Sequence, residues 1–157
     1  MQRVRKQMAE VEIVRMRDEH ISRIAELEKI CFAEPWSENS LREELNNPDA
    51  YFLTALSDGE VLGYAGMHLS FGDGYVDNIA VFPEFRGKHV GEMLTSALAE
   101  KAAQEGRFIT LEVRESNVPA IRLYEKLGFV PAGKRKNFYT APREDAVIYT
   151  RTFNKQI

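Results

Sequence analysis

Helical periodicity marks four segments of the chain, in which apolar residues recur at intervals of three and four positions. In the first segment Asp18 is the predicted N-cap, and Glu28 lies at the edge of the inward face. Ser37 and Asn117 are the predicted N-caps of two further helices, and a longer amphipathic helix follows residue 90 and ends at Gly106. The inward positions are Ile21, Ile24, Leu27 and Cys31 in the first helix and Ala120, Leu123, Tyr124 and Leu127 in the last.

Segments rich in β-branched and aromatic residues separate these helices and predict strands. Turn residues join two pairs of them, at Ser57-Asp58-Gly59 and Gly72-Asp73-Gly74. The predicted strands cover residues 11–16, 51–56, 61–69, 75–82, 108–113, 129 onward and 146–152. The order β-α-α-β-β-β-α-β-α-β-β predicts an α/β fold, with a central, mostly antiparallel mixed sheet flanked by about four helices. Because no linker, repeat or low-complexity tract is present, we expect one domain over residues 11–157 after a flexible tail over residues 1–10.

Composition excludes several classes of protein. The chain has 157 residues, a net charge of -3 and 29% charged residues, so no general basic field favours direct binding of nucleic acid. No apolar run is long enough to span a bilayer, so no membrane partner is expected. The single cysteine, Cys31, and three scattered histidines predict neither a disulfide nor a metal site. A lone cysteine also fits a reducing compartment, and we expect a cytoplasmic protein.

A basic turn precedes the longest predicted helix. It contains Arg86, Gly87 and Lys88, between a strand and the helix that begins near Val90. Free backbone N–H groups and the positive end of the helix dipole make such a turn a candidate phosphate site. A solvated basic turn without a ligand is an equally good interpretation of these residues alone.

Two further side chains are candidates for chemistry. Alternation in the strand over residues 108–113 puts Ile109, Leu111 and Val113 on one face and Thr110, Glu112 and Arg114 on the other. A strand between packed helices is normally covered on both faces, so Glu112 is expected to line a cavity, although an isolated strand would expose it to water. Tyr124 lies on the inward stripe of its helix, and by itself it is best interpreted as a core residue.

Two motifs together resemble those of the GNAT acetyltransferases. The first is Arg86-Gly87-Lys88-His89-Val90-Gly91, which matches the family signature at Arg86 and Gly91 but has His89 where glycine is usual. The second spans residues 117–129, with Asn117, Ala120, Leu123-Tyr124 and Leu127-Gly128-Phe129 at the family spacing. Within the family the resemblance is strongest to the ribosomal-protein alanine N-acetyltransferases, which also share Pro35-Trp36-Ser37 and a charged segment over residues 143–146. The resemblance covers residues 11–152.

The resemblance implies acetyl-CoA as cosubstrate and a protein N-terminus, expected to be that of a ribosomal protein, as acceptor. It implies that Glu112 is the general base and Tyr124 the general acid. The segments over residues 32–37 and 137–144 would flank the acceptor peptide. The residues implied in binding the cofactor are Ile79, Ala80 and Val81 along the acetyl group, Arg86, Gly87, Lys88, His89, Val90, Gly91 and Glu92 around the pyrophosphate, and Asn117 beside the pantetheine or phosphate arm.

Two other functions remain open at this point. The first is a GNAT acetyltransferase that acts on a small amine or a lysine side chain. The second is a non-catalytic module that binds acetyl-CoA, an alternative that the Cβ of His89 keeps open because it would crowd a pyrophosphate or require an unusual φ. The presence of both Glu112 and Tyr124 favours an enzyme.

Overall fold

The computed structural model describes residues 10–154, which form one seven-stranded mixed sheet with four α-helices. The strands are β1 Glu12–Arg15, β2 Ala50–Ser57, β3 Glu60–Ser70, β4 Asp73–Val81, β5 Phe108–Arg114, β6 Val130–Thr140 and β7 Arg143–Thr152. The helices are α1 Asp18–Cys31, α2 Glu38–Glu44, α3 Val90–Glu105 and α4 Val118–Lys126. This element order and the mixed α/β class confirm the predictions from the sequence.

The helices cover both faces of the sheet, which has the strand order β1-β2-β3-β4-β5-β7-β6. On one face the buried side chains of α3 and α4, including Leu94, Leu98 and Tyr124, pack with Leu111 and Val113 of β5. On the other face α1 and α2 contribute Ile21, Ile24, Leu27 and Leu41 to a second cluster with Phe52, Tyr64 and Ala80 of the sheet. Each strand of the centre therefore sends alternate side chains into two separate cores.

The β4–β5 pair is the parallel pair of the sheet and the shortest of its ladders. Its two residue pairs are Gly74–Ile109 and Tyr75–Thr110, although both strands continue for several residues beyond them. On its other side β4 carries a bulge, because Asn78 pairs with Gly66 and Val76 with Met67, which leaves Asp77 as the extra residue. A bulge adds local twist to a strand. The two strands thus separate beyond residues 75 and 110 and leave a gap toward their C-terminal ends.

Several predicted boundaries are wrong by a few residues. The N-cap of α1 is Arg17 rather than Asp18, and its backbone N–H donates to Nδ1 of His20 at 3.0 Å. The second hairpin turn is shorter than predicted because Phe71 and Gly72 both adopt positive φ, which lets β4 begin at Asp73. Oδ1 of Asp73 then accepts the backbone N–H of Arg107 at 2.6 Å, so this carboxylate belongs to the sheet and not to the turn.

The last hairpin is longer than predicted. We expected a polar loop before a strand over residues 146–152, but β6 continues to Thr140 and β7 begins at Arg143. β6 is an edge strand whose side chains are nearly all exposed, so its sequence has no apolar alternation to reveal it. The predicted tail over residues 1–10 lies outside the described residues, apart from Glu10.

Candidate active site

The backbone of residues 79–81 lines the gap between β4 and β5. Ala80 is buried in the core beneath α1, whereas Ile79 and Val81 pack against the core beneath α3. In the described part of the chain these three residues pair with β3, and the β4–β5 ladder has already ended at Tyr75. The edge of β4 that faces β5 is therefore not paired with that strand, although the carbonyl oxygen of Val81 accepts a hydrogen bond from Arg86.

The turn before α3 presents a row of free amides beside this gap. Among residues 10–154 no acceptor receives the backbone N–H groups of residues 87 to 92, and the first bond of the helix runs from Met93 N to His89 O at 3.0 Å. Gly87 has φ +78° and no atom within 4 Å of the position of a Cβ. These amides and the positive end of the helix dipole have the arrangement that binds anions in other proteins.

His89 occupies the position where the family motif usually has glycine. Its φ of 65° and ψ of 14° are left-handed, a conformation that costs a non-glycine residue roughly 1 kcal/mol or more. Its Nδ1 lies 3.0 Å from Oε2 of Glu92, and its side chain is 75% exposed. The imidazole thus points into solvent beside the first turn of α3, and the backbone takes up the conformation that glycine would favour.

The charged side chains of this turn have partners within the protein. Arg86 donates from Nε to the carbonyl oxygen of Val81 at 3.0 Å and from a guanidinium N–H to Sγ of Cys31 at 3.4 Å. Glu92 accepts from Lys126 of α4 at 2.9 Å, and the hydrogen bonds from Lys126 and then His89 lower the pKa of its carboxyl group. The carboxyl group of Glu92 therefore stays ionised, and the adjacent cation of Lys126 balances its negative charge.

The N-terminus of α4 lies next to the same turn. A Cβ on Gly91 would contact Leu123 of α4 at 3.7 Å and Val81 at the end of β4 at 3.8 Å. Asn117 caps α4 as predicted, since its Oδ1 accepts the backbone N–H of Ala120 at 3.3 Å. The end of β4, the start of α3 and the first turns of α4 thus converge at one end of the gap.

Glu112 lies on the polar face of β5, as predicted. Ile109, Leu111 and Val113 are buried on the face beneath α3, and Glu112 points to the other face with its side chain 30% exposed. Its Oε1 lies 3.2 Å from Nε of Arg135 on β6. The carboxylate is half-buried on the side of the sheet covered by α1 and α2, with one cation beside it.

Tyr124 lies on the opposite face of the sheet. It is 9% exposed, and the centre of its ring lies 5.8 Å from that of Phe129. Its hydroxyl has no hydrogen-bond partner within the described residues 10–154. Burial first, and the nearby Tyr139 second, raise its pKa to about 12, so the hydroxyl keeps its proton at neutral pH.

A sequence model of the Acetyltransferase (GNAT) family matches residues 21–129, more than half of the chain. The chain belongs to the GNAT family. It is thus an N-acetyltransferase in a family whose members use acetyl-CoA.

The similarity to known proteins covers most of the chain. A Bacillus subtilis protein named for alanine N-acetylation of ribosomal protein bS18 is 42% identical over 142 residues, which are 89% of this chain and 94% of the relative. The Escherichia coli ribosomal protein bS18-alanine N-acetyltransferase is 35% identical over 126 residues, 78% of this chain and 84% of the relative. A crystal structure of the E. coli ribosomal-protein-S18-alanine N-acetyltransferase has a TM-score of 0.84 at 28% identity, covering 94% of this chain and 97% of that chain.

The GNAT core also holds a carboxyl group whose environment the sequence did not reveal. Glu28 was predicted at the edge of a helical face, but it is fully buried between α1 and the sheet. Its Oε1 accepts from the hydroxyl of Tyr64 at 2.9 Å and from Nδ2 of Asn78 at 2.7 Å, while Oε2 has no partner within residues 10–154. Burial raises the pKa of Glu28, against the hydrogen bonds from Tyr64 and Asn78. Cys31 was predicted inward and is only partly buried.

A second cluster of charged side chains, which no sequence motif predicts, includes Asp77, and the charge of Glu112 acts on this carboxyl group. Nδ1 of His68 on β3 lies 2.5 Å from Oδ2 of Asp77 on β4, and its Nε2 lies 2.9 Å from Oε2 of Glu44 on α2. The three residues come from three elements and have no common spacing. A sequence motif therefore could not have identified them.

The described residues 10–154 contain no group of three or more His, Cys, Asp or Glu side chains placed to hold a metal ion. No helix in the same range is long and apolar enough to cross a membrane.

Proposed function

We propose that this GNAT enzyme transfers the acetyl group of acetyl-CoA to the α-amine of an N-terminal alanine, with ribosomal protein bS18 as acceptor. The observation that carries the proposal is the similarity along 89% of the chain to the Bacillus subtilis protein named for this reaction, at 42% identity. An acceptor in the ribosome also implies a cytoplasmic enzyme.

The turn before α3 and the edge of β4 are the proposed site of acetyl-CoA. The free amides of residues 87–92 would bind the pyrophosphate, with charge from Arg86 and Lys88. The open backbone edge at Ile79, Ala80 and Val81 would bind the pantetheine arm and align the thioester. The side-chain amide of Asn117 would contact the arm from the start of α4.

Glu112 and Tyr124 are the proposed acid–base pair. The amine nitrogen attacks the thioester carbon, its proton passes to Glu112 directly or through a water, and the carbon–sulfur bond breaks. Tyr124 supports the departing thiolate with its hydroxyl proton. The two side chains extend from opposite faces of the sheet. Glu112 would therefore reach the amine from one side of the gap, and Tyr124 would reach the thiolate from the other.

The acid–base chemistry of the acceptor favours an α-amine. With an ordinary pKa near 7.8, roughly 14% of an N-terminal amine is neutral at pH 7. A lysine amine with a pKa near 10.4 is about 0.04% neutral, which adds roughly 3.5 kcal/mol to the barrier. A single half-buried carboxylate such as Glu112 is a sufficient base for the first amine and a weak one for the second.

The test is acetyl transfer to three matched peptides, read by mass spectrometry. One is a hexapeptide with a free alanine N-terminus, the second has the same sequence with that terminus blocked and an internal lysine, and the third begins with a bulky residue. We expect acetylation of the first peptide, with little on the other two. Transfer to lysine alone would support the small-amine or lysine alternative, and binding of acetyl-CoA without transfer to any amine would support the non-catalytic module.

A further inference from the structure

Asp77 and Glu112 both lie just past the end of the β4–β5 ladder. The last pair of the parallel ladder is Tyr75–Thr110, and two residues further along each strand are Asp77 and Glu112. Asp77 contacts His68, whose ring packs edge-on to Phe52 in the core beneath α1, so both carboxylates project from the same face. Two strands in a sheet lie about 4.8 Å apart, and the separation here is larger because pairing has ended. The charge of Glu112 acts on Asp77 across this gap, so a cationic group between the two strands would interact with both carboxylates.

Within residues 10–154 the carboxylates around this position outnumber the cations beside them. Glu112 lies beside Arg135, while His68 lies between Glu44 and Asp77. Burial opposes the charged form of His68, but the hydrogen bonds to Glu44 and Asp77 raise its pKa above the usual value. With His68 protonated, three carboxylates face two cations. An ammonium group would complete the balance.

We propose that Asp77 is a second carboxylate of the acceptor site and binds the positively charged α-amine of the acceptor opposite Glu112. His68 is then a positioning residue, because its two hydrogen bonds fix Asp77 against Glu44. The inference rests on the proposed function. It adds a group that binds the cationic amine before one of its protons passes through Glu112, whose side chain is 30% exposed, to solvent. The neutral amine then attacks the thioester and gives its second proton to Glu112.

The environment of Asp77 makes this binding sensitive to pH. Burial first, and then the charges of Glu44 and Glu112, raise its pKa to about 6, although His68 acts in the opposite direction. The other ionisable group that faces it is Tyr64 of β3. Above pH 6 the carboxylate is charged and binds the ammonium group. Below pH 6 it takes up a proton and loses that attraction, while the α-amine stays cationic throughout this range.

The experiment measures peptide binding without turnover, using coenzyme A in place of acetyl-CoA. Calorimetry gives the Kd of the free-amine alanine hexapeptide and of the same peptide with its N-terminus acetylated, at pH values from 5 to 7. For the wild-type enzyme we expect the affinity for the free-amine peptide to fall about tenfold from pH 7 to pH 5, as one charged hydrogen bond is lost. Affinity for the neutral acetylated peptide stays constant.

Two variants test the role of each side chain. Asp77→Asn is expected to weaken the free-amine peptide about tenfold at pH 7, abolish its pH dependence and leave the acetylated peptide unchanged. His68→Gln removes the cation that lowers the pKa of Asp77, so the affinity should fall at a higher pH than in the wild type. Asp58→Asn, the same chemical change at an exposed turn, is the matched control and should behave as the wild type.

The possible results distinguish a failure of this inference from a failure of the proposed function. If the wild-type enzyme acetylates the peptide but Asp77→Asn binds both peptides as the wild type does, Asp77 is not part of the acceptor site. Equal weakening of both peptides would assign Asp77 a structural role and also overturn the inference. The wild-type pH series needs no variant, and a constant affinity from pH 5 to 7 would contradict it independently. Failure of the wild type to acetylate any N-terminal amine would refute the proposed function and the inference together.

Discussion

Tyr124→Phe separates a core residue from a functional one, because the structure gives the hydroxyl no structural task. The ring packs beside Phe129 and stays in place in the variant. No hydrogen bond is lost, since the hydroxyl has no partner among residues 10–154. A tyrosine with a bonded hydroxyl would lose about 1 kcal/mol of stability on this change. Here the free energy of unfolding should change by less than about 0.5 kcal/mol.

The expected loss of activity follows from the pKa of Tyr124. At about 12 it exceeds that of an ordinary thiol, about 8.5, by roughly 3.5 units, so complete proton transfer to a thiolate would cost about 5 kcal/mol. In the proposed mechanism the hydroxyl would therefore act mainly by donating a hydrogen bond to the charge that develops on sulfur. Hydrogen bonds to charged groups contribute about 1.5–3 kcal/mol. We expect kcat to fall between about 10-fold and 150-fold, with an unchanged KM for acetyl-CoA.

The assay combines urea unfolding with single-turnover acetyl transfer on the same preparation. Tyr149→Phe is the matched control, because Tyr149 is buried in the same core and its hydroxyl donates to Oε1 of Glu125 at 3.0 Å. That variant should lose about 1 kcal/mol of stability and keep its turnover. A folded Tyr124→Phe enzyme with wild-type turnover would refute the assignment and leave Tyr124 as a core residue.

Three further changes test other parts of the site. Glu112→Gln should lower kcat at pH 7 and recover part of it as pH rises and the amine loses its own proton; an unchanged rate at pH 7 would exclude Glu112 as the base. His89→Gly should stabilise the protein by roughly 0.5–1 kcal/mol by relieving the left-handed φ, with an equal or lower KM for acetyl-CoA, whereas a severalfold rise would identify the imidazole as a ligand. Glu28→Gln should gain stability relative to the wild type as pH rises from 4 to 8, measured by urea unfolding. Burial raises the pKa of Glu28, so the folded wild type binds this proton more tightly than the unfolded chain and loses stability as pH rises, and a pH-independent difference would contradict that reasoning.

Patterns with strong local causes were predictable from the sequence. Alternation on β5 correctly separated Leu111 and Val113 from Glu112, because one face of that strand packs against helices. The cap at Asn117 was predicted from its own chemistry, since its side chain binds an amide three residues away. These features depend on neighbours close in the chain, so composition and spacing are sufficient to reveal them.

Features that depend on register and on distant contacts were not predictable. Glu28 lies on the helical face between Ile24 and Cys31. A charged side chain at such a position is normally expected to extend to the edge of the buried face, where its carboxylate reaches water. Its burial depends on Tyr64 and Asn78, which lie 36 and 50 residues away in the chain and supply its hydrogen bonds. The contact of Asp77 with His68 likewise depends on the register between β3 and β4, in which His68 lies opposite Tyr75, two residues before Asp77.

The position of the proposed cofactor site follows from the one parallel connection of the sheet. Parallel strands need a crossover, and α3 supplies it between β4 and β5, so the start of α3 must lie near the C-terminal end of β4. The β4–β5 ladder ends at Tyr75 and Thr110, just before the bulge at Asp77, so the edge of residues 79–81 is not paired with β5. The same path of the chain thus produces both the free amides at the start of α3 and the unpaired edge of β4. Tyr124 lies beneath α3, whereas Asp77 and Glu112 face α1 and α2. In the proposed mechanism the thiolate and the amine would therefore be contacted from opposite sides of the gap.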